Sequence, residues 1–311
     1  MHIISIYNNK GGVGKSTLTV GLAEFLSANR GKKVLVIDLD AQASTTSALL
    51  SRETIRTCLQ SQRTIVGLVN HLRRRKSVPK NLSDYLVPRP AVDARGSALG
   101  ELAILVPDRT NLYELEERMH SRNDETLLRD YLKPALANFD FVLIDMPGNA
   151  DRRQKLVING LTISDFVLVP TKPDQISLEA LPDSFDLVHY AQEVNGQDRP
   201  AIIGIVRNMT DRRTQQYKAK FPSIIEASAS QNLPPLFENF LANHSALETA
   251  TDGTQDFRTL KQRFANDYDP VRKVACELEK RCKNYQFHQK PKPSEYGQFF
   301  RRILDTFSTK R

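Results

Sequence analysis

Asn9-Lys10-Gly11-Gly12-Val13-Gly14-Lys15-Ser16-Thr17 is the stretch that decides the fold. It follows an apolar run at residues 3–7. It precedes residues 17–28, where Leu18, Leu22, Phe25 and Leu26 recur at helical spacing and Gly31 stands as a stop. A strand–loop–helix junction gathers backbone N–H groups and a helix N-terminus around one point, which suits an anion. Gly11, Gly12 and Gly14, with Val13 among them, let that backbone approach closely. Lys15 is spaced to reach the β- and γ-phosphates of a nucleotide, Ser16 to ligate Mg²⁺, and Thr17 to donate to the α-phosphate.

Outward from this loop, short β-branched runs recur at residues 34–37, 102–106, 141–144, 166–169 and 202–206, with helical stretches between them. Continuous apolar strands alternating with helices predict a doubly wound α/β sheet, mostly parallel, with both faces covered. Two regions break the pattern. Residues 51–100 are polar, with a basic run Arg73-Arg74-Arg75-Lys76 and prolines at 88 and 90, and predict a helical insertion. Residues 255–311 are basic and helical in pattern, interrupted by Pro270, Pro291 and Pro293, and predict a helical C-terminal extension. The whole of 1–311 is expected to be one domain carrying these elaborations.

Two aspartate motifs end predicted strands. In Asp38-Leu39-Asp40-Ala41-Gln42 the carboxylates at i and i+2 share one face. Phe141-Val142-Leu143-Ile144-Asp145-Met146-Pro147-Gly148 has the Walker B form, in which Asp145 would hold Mg²⁺ through a water. Both lie at strand C-termini, where ligands bind in such sheets.

Composition narrows the partners. The net charge of +8 and pI near 9.3 favour a polyanion, either nucleic acid or an anionic membrane surface. No apolar run is long enough to span a bilayer, and the first strand begins too near Met1 for a signal peptide. Three scattered cysteines without a CxxC pair argue against a disulfide framework or metal cluster and for a reducing, cytoplasmic setting.

The loop departs from GxxxxGK[ST], because Asn9 stands where the first glycine belongs and Lys10 adds a second lysine. KGGVGKST is the deviant Walker A motif and resembles the ParA/MinD family of P-loop ATPases. Val169-Pro170-Thr171-Lys172-Pro173-Asp174-Gln175 and Val206-Arg207-Asn208-Met209-Thr210-Asp211-Arg212-Arg213-Thr214 are similar to ParA segments. Ala41 and the DMPG run depart from the family's DxDPQ and DTPP. The resemblance implies an ATPase that dimerises around two nucleotides, Lys10 crossing to the partner's ATP. Asp40 would orient the attacking water, Asp38 would support the Mg²⁺ shell, and Asn208 would face the adenine. It also implies a partner protein that stimulates hydrolysis.

Three functions compete at this point. A ParA-type positioning ATPase would bind DNA without sequence preference and associate with the nucleoid. Its supporting charges are Arg73–Lys76, Arg207, Arg212, Arg213, Lys218, Lys220 and the residues 272–292. A MinD-like membrane switch would use the last helix, with Tyr296, Phe299, Phe300, Ile303, Leu304 and Phe307 beside Arg301, Arg302, Lys310 and Arg311. A metabolic P-loop enzyme would need dedicated acid–base residues, and the six histidines form no such cluster. With no room for a helix-turn-helix before the loop, operator-specific repression is not expected.

Overall fold

The structure, a computed structural model, describes residues 1–93, 97, 99–119, 122–209, 215–230, 233–241, 259–286 and 292–308. Its strands are β1 (His2–Ile6), β2 (Lys33–Asp38), β3 (Val87–Pro88), β4 (Glu101–Leu105), β5 (Phe141–Asp145), β6 (Phe166–Thr171) and β7 (Ala201–Arg207). They form one seven-stranded sheet in the order β3-β4-β2-β5-β1-β6-β7. Every pairing is parallel except that of β3 with β4. The doubly wound, mostly parallel sheet is thus as the sequence predicts, and β3 is an addition to it. Two residues inside a polar stretch carry no strand signal, and Pro88, lacking an N–H, is tolerated because β3 is an edge.

The helices are α1 (Lys15–Arg30), α2 (Ser44–Leu49), α3 (Arg52–Gln60), α4 (Ile65–Arg75), α5 (Arg109–Arg118) and α6 (Lys155–Ile163). After them come α7 (Gln175–Glu179), α8 (Leu181–Asn195), α9 (Gln215–Ala229), α10 (Leu260–Phe264), α11 (Tyr268–Asn284) and α12 (Pro293–Ser308). Alternate strand residues face opposite sides of the sheet, so each strand feeds two cores. Ile3, Leu35, Ile37, Val142 and Ile144 join Leu68 and Leu72 of α4, Leu161 of α6 and Phe185 of α8. Ile4, Ile6, Val34, Val36 and Leu143 join Leu18 and Leu22 of α1 and Val274 and Leu278 of α11. Each such aliphatic side chain, fully buried, contributes about 1.5–3 kcal/mol of transfer free energy.

Both elaborations take part in these cores. Val69 and Leu72 from the insertion lie in the first, and Phe264, Val271 and Cys282 from the extension lie in the second. Glu24 of α1, almost fully buried, receives Arg263 of α10 at 3.1 Å and Arg89 beside β3 at 2.6 Å. That buried Arg–Glu–Arg group ties the insertion and the extension to the helix that follows the phosphate loop. On the opposite face, α12 lays Tyr296 and Phe300 edge-on against Phe185 of α8, at centroid distances of 6.2 and 6.4 Å.

The register then builds the site. Asp38 and Asp145 are direct Cα partners on neighbouring parallel strands, and Ile6 is the partner of Asp145 on the other side. Both aspartates therefore emerge at the carboxyl edge of the sheet, beside the loop that leaves β1.

Candidate nucleotide site

Residues 9–17 curl around the N-terminus of α1, and the turn needs glycine where φ is positive, at Gly12 (+72°) and Gly14 (+82°). An open pocket of about 690 Å³ lies over this loop. It is lined by Gly11, Gly12, Gly14, Lys15, Ser16 and Thr17, by Asp40 and Gln42 after β2, and by Pro147 and Gly148 after β5. Leu112, Tyr113 and Glu116 of α5 close its far wall, together with Met209.

Lys15 is buried and folded back: its ammonium donates to Lys10 O at 2.9 Å and Asn8 O at 3.3 Å. Burial lowers its pKa, while Asp145 and Asp40 pull it up. Lys10 is half-buried, and its ammonium makes no hydrogen bond or ion pair with any described residue.

Asp145 is fully buried, and burial pushes its carboxyl up to about 6, against the Thr45 hydrogen bond, the nearby Ser16 hydroxyl and the Lys15 charge. Its Oδ2 accepts from the Thr45 hydroxyl at 2.6 Å, while Oδ1 has no partner among the described residues. An orphaned carboxylate oxygen beside a serine hydroxyl is a hard-oxygen donor set, which fits Mg²⁺. Asp38 differs. Its Oδ1 accepts from Asp40 N at 3.1 Å and its Oδ2 from Thr46 N and Oγ1 at 3.0 and 2.7 Å. Burial and the charge of Asp145 raise its pKa well above the ordinary carboxylate range. With both oxygens engaged, Asp38 has the geometry of a support for residues 40–46. Asp40 accepts from Gln42 N at 2.9 Å, which turns the chain along the pocket wall.

Asn208, expected from the sequence to face the adenine, is hydrogen-bonded to the phosphate loop. Its side chain is fully buried, and Nδ2 donates to Val13 O at 2.8 Å and Gly14 O at 3.3 Å. It braces the phosphate loop from below, because the end of β7 brings it under the loop's carbonyls; Met209 lines the pocket instead. Sequence reading also missed Thr45, although its place five residues after Asp40 in a Ser-Thr-Thr run could have raised it. Glu116 was missed as well. Its carboxyl, raised to about 7 by burial, accepts from Leu156 N at 3.0 Å at the start of α6.

The charges expected to meet a polyanion divide in two. Arg207 is buried and donates to Tyr217 Oη, Phe237 O and Glu238 O, so it belongs to the fold. On α11, Arg272 and Lys273 pair with Asp269, Arg281 with Glu277 and Lys283 with Glu279. Arg73 pairs with Asp124. Arg74, Arg75 and Lys76 at the end of α4 are exposed and make no ion pair with a described residue. Arg212, Arg213, Lys310, Arg311 and the side chains of Lys220 and Phe307 lie outside the described residues.

Comparison with known proteins settles the family. A family model described as an AAA domain matches residues 1–202. The sporulation initiation inhibitor protein Soj of Bacillus subtilis is 30% identical over 214 residues, covering 68% of this chain and 74% of Soj. This chain belongs to the ParA/MinD family of P-loop ATPases. It is a ParA-type ATPase. Its fold matches that of pNOB8 ParA, solved bound to nonspecific DNA, with a TM-score of 0.69 over 92% of this chain and 99% of that one, at 20% identity. Cobyrinic acid a,c-diamide synthase from Mycobacterium smegmatis, solved with an ATP analogue and magnesium, has the fold too. Its TM-score is 0.66 at 18% identity, over 91% of this chain and 96% of that one. The sheet therefore does not separate a positioning ATPase from a metabolic enzyme; the sequence relatives do.

Proposed function

We propose that this ParA-type ATPase is a switch in which ATP joins two copies face to face and the joined form holds DNA without regard to sequence. The observation that carries the reading is Lys10, a half-buried lysine of the phosphate loop whose ammonium has no described partner. A cation so placed beside a pocket for a triphosphate has its natural counter-charge in a nucleotide presented by a second copy. Lys15 serves the phosphates of its own subunit, and Asp40 orients the attacking water. Ser16 and Asp145 would hold Mg²⁺, which neutralises phosphate charge, with Asp38 supporting them from behind. Hydrolysis removes the γ-phosphate and with it the linkage between copies.

The exposed Arg74-Arg75-Lys76 cluster supports the DNA reading, since non-specific binding needs only phosphate contacts. If each copy neutralises about three phosphates, joining two takes the slope of log affinity against log salt from about −2.7 to about −5.4. Nucleoid association and a stimulating partner protein belong to the same reading. The membrane alternative loses its main support, because Tyr296 and Phe300 of α12 are packed on α8 and Arg301 pairs with Asp186. Binding to two unrelated duplexes and to anionic liposomes, across a salt series with ADP or a slowly hydrolysed ATP analogue, tests the proposal. Analogue-dependent binding to both duplexes is the expected result. Equal affinity in the two nucleotide states would refute the switch, and liposome binding alone would favour the MinD-like reading.

A further inference from the structure

Asn9 occupies the place of the first glycine in the strict phosphate-loop pattern, so this chain has a side chain where most such loops have none. That side chain is engaged. Its Oδ1 accepts from Ala150 N at 2.6 Å and from Tyr7 Oη at 3.2 Å. The Asn9 carbonyl accepts from Asn149 N at 3.1 Å, and its N–H donates to Ser184 Oγ at 2.8 Å. Two consecutive N–H groups of the loop after β5 thus end on one residue of the phosphate loop. The left-handed conformation of Asn149, φ +56°, turns the chain so that both can.

These rungs set where the neighbouring residue stands. A Cβ on Gly148 would come within 2.9 Å of Gly11 N, 3.0 Å of Lys10 C and 3.1 Å of Lys15 Nζ. The loop therefore lies flush on the phosphate loop, which explains glycine at this position. Pro147, Gly148 and Asn149 form the pocket wall beside the Lys15 ammonium. Lys15 serves the β- and γ-phosphates, so this wall borders the terminal phosphate and is remote from the α-phosphate.

We infer that Asn9 is a positioning residue that fastens the loop after β5 to the phosphate loop and so sets the preference for a nucleoside triphosphate over the diphosphate. The inference rests on the nucleotide reading of this site. Removing the Asn9 acceptor leaves the buried Ala150 N–H unsatisfied and frees the wall that meets the γ-phosphate. The diphosphate does not reach that wall and is held as before.

The test is calorimetric titration of ADP and a slowly hydrolysed ATP analogue into wild type, Asn9→Ala and the near-isosteric Asn9→Leu, at one low protein concentration. Amide hydrogen exchange over residues 146–154 is followed in parallel, with Asn9→Asp as the variant that keeps the acceptor. Expected are an ADP affinity within twofold of wild type, analogue affinity weakened about tenfold, as for one lost hydrogen bond, and faster exchange in Asn9→Ala and Asn9→Leu. Asn9→Asp keeps wild-type exchange. Equal weakening of both nucleotides, or an unchanged preference in either variant that folds, overturns the inference, as does unaltered exchange. A wild type that binds neither nucleotide overturns the nucleotide reading itself, which is a different failure.

Discussion

Thr45 donates its hydroxyl to one oxygen of Asp145 at 2.6 Å and leaves the other oxygen buried without a described partner. The carboxylate is thus half-satisfied and tuned for a cation, and without one it is a liability to the fold. Burial raises its pKa to about 6, whereas in the unfolded chain it titrates near the ordinary 3.8. Between those values the folded state binds more protons, so this group's contribution to stability is fully present below 3.8 and is lost as pH rises through 6.

Asp145→Asn should therefore stabilise the nucleotide-free protein at pH 7.5, while abolishing Mg-dependent ATP binding. Thermal melts at pH 5 and 7.5, with and without Mg-ATP, read both effects. A variant less stable than wild type at pH 7.5 would contradict the burial argument.

Lys15→Ala is expected to lose nucleotide binding, and Lys10→Ala to keep it while losing ATP-dependent dimerisation. The Lys15 ammonium folds back onto its own loop, whereas that of Lys10 has no described partner, so their reaches differ. Nucleotide affinity and sedimentation velocity separate the two, and an undiminished dimer in Lys10→Ala would remove the cross-subunit role.

Asp40→Ala should still bind Mg-ATP but turn it over slowly, because the phosphate cradle is intact while the water loses its orienting group. Single-turnover hydrolysis is the measurement. Wild-type turnover in the variant would assign water positioning to another residue.

Glu24→Gln leaves the buried Arg263 and the partly buried Arg89 beside each other with their shared counter-charge gone. Breaking a buried ion group from one side costs about 3–5 kcal/mol, and a loss of that order is expected in urea unfolding. Arg89→Met, which leaves Glu24 paired with Arg263, should cost less. Equal losses would mean that the two arginines are not sharing the carboxylate.

Much of the fold was legible because continuous β-branched runs admit few arrangements, and the glycine-rich loop tied the first of them to a helix. The carboxylates were found as strand-end aspartates. What the chain order alone does not reveal is register, which makes Asp38 and Asp145 neighbours and gives them unlike tasks. Asn208 was noticed as a contact for the base, while its bond to the phosphate loop could not be read, since a residue ending an outer strand can face up into a pocket or back under a loop. The basic count overstated the free charge of α11. Pairs such as Glu277 with Arg281 and Glu279 with Lys283 stand four apart and could have been discounted from the sequence. Asn9 read as a missing glycine, and only the folded chain reveals the acceptor it adds.

The helix that springs from the phosphate loop is enclosed along almost its whole length. Residues 17–28 of α1 are all buried, and Gly21 abuts Val271 and Phe264 of the extension. Such a helix is an anvil. It has little room to shift when phosphates arrive or leave, whereas the chain after β2 and the chain after β5 border the pocket. The basic extension, whatever else it touches, thereby makes the centre of the molecule rigid enough for those two edges to move against.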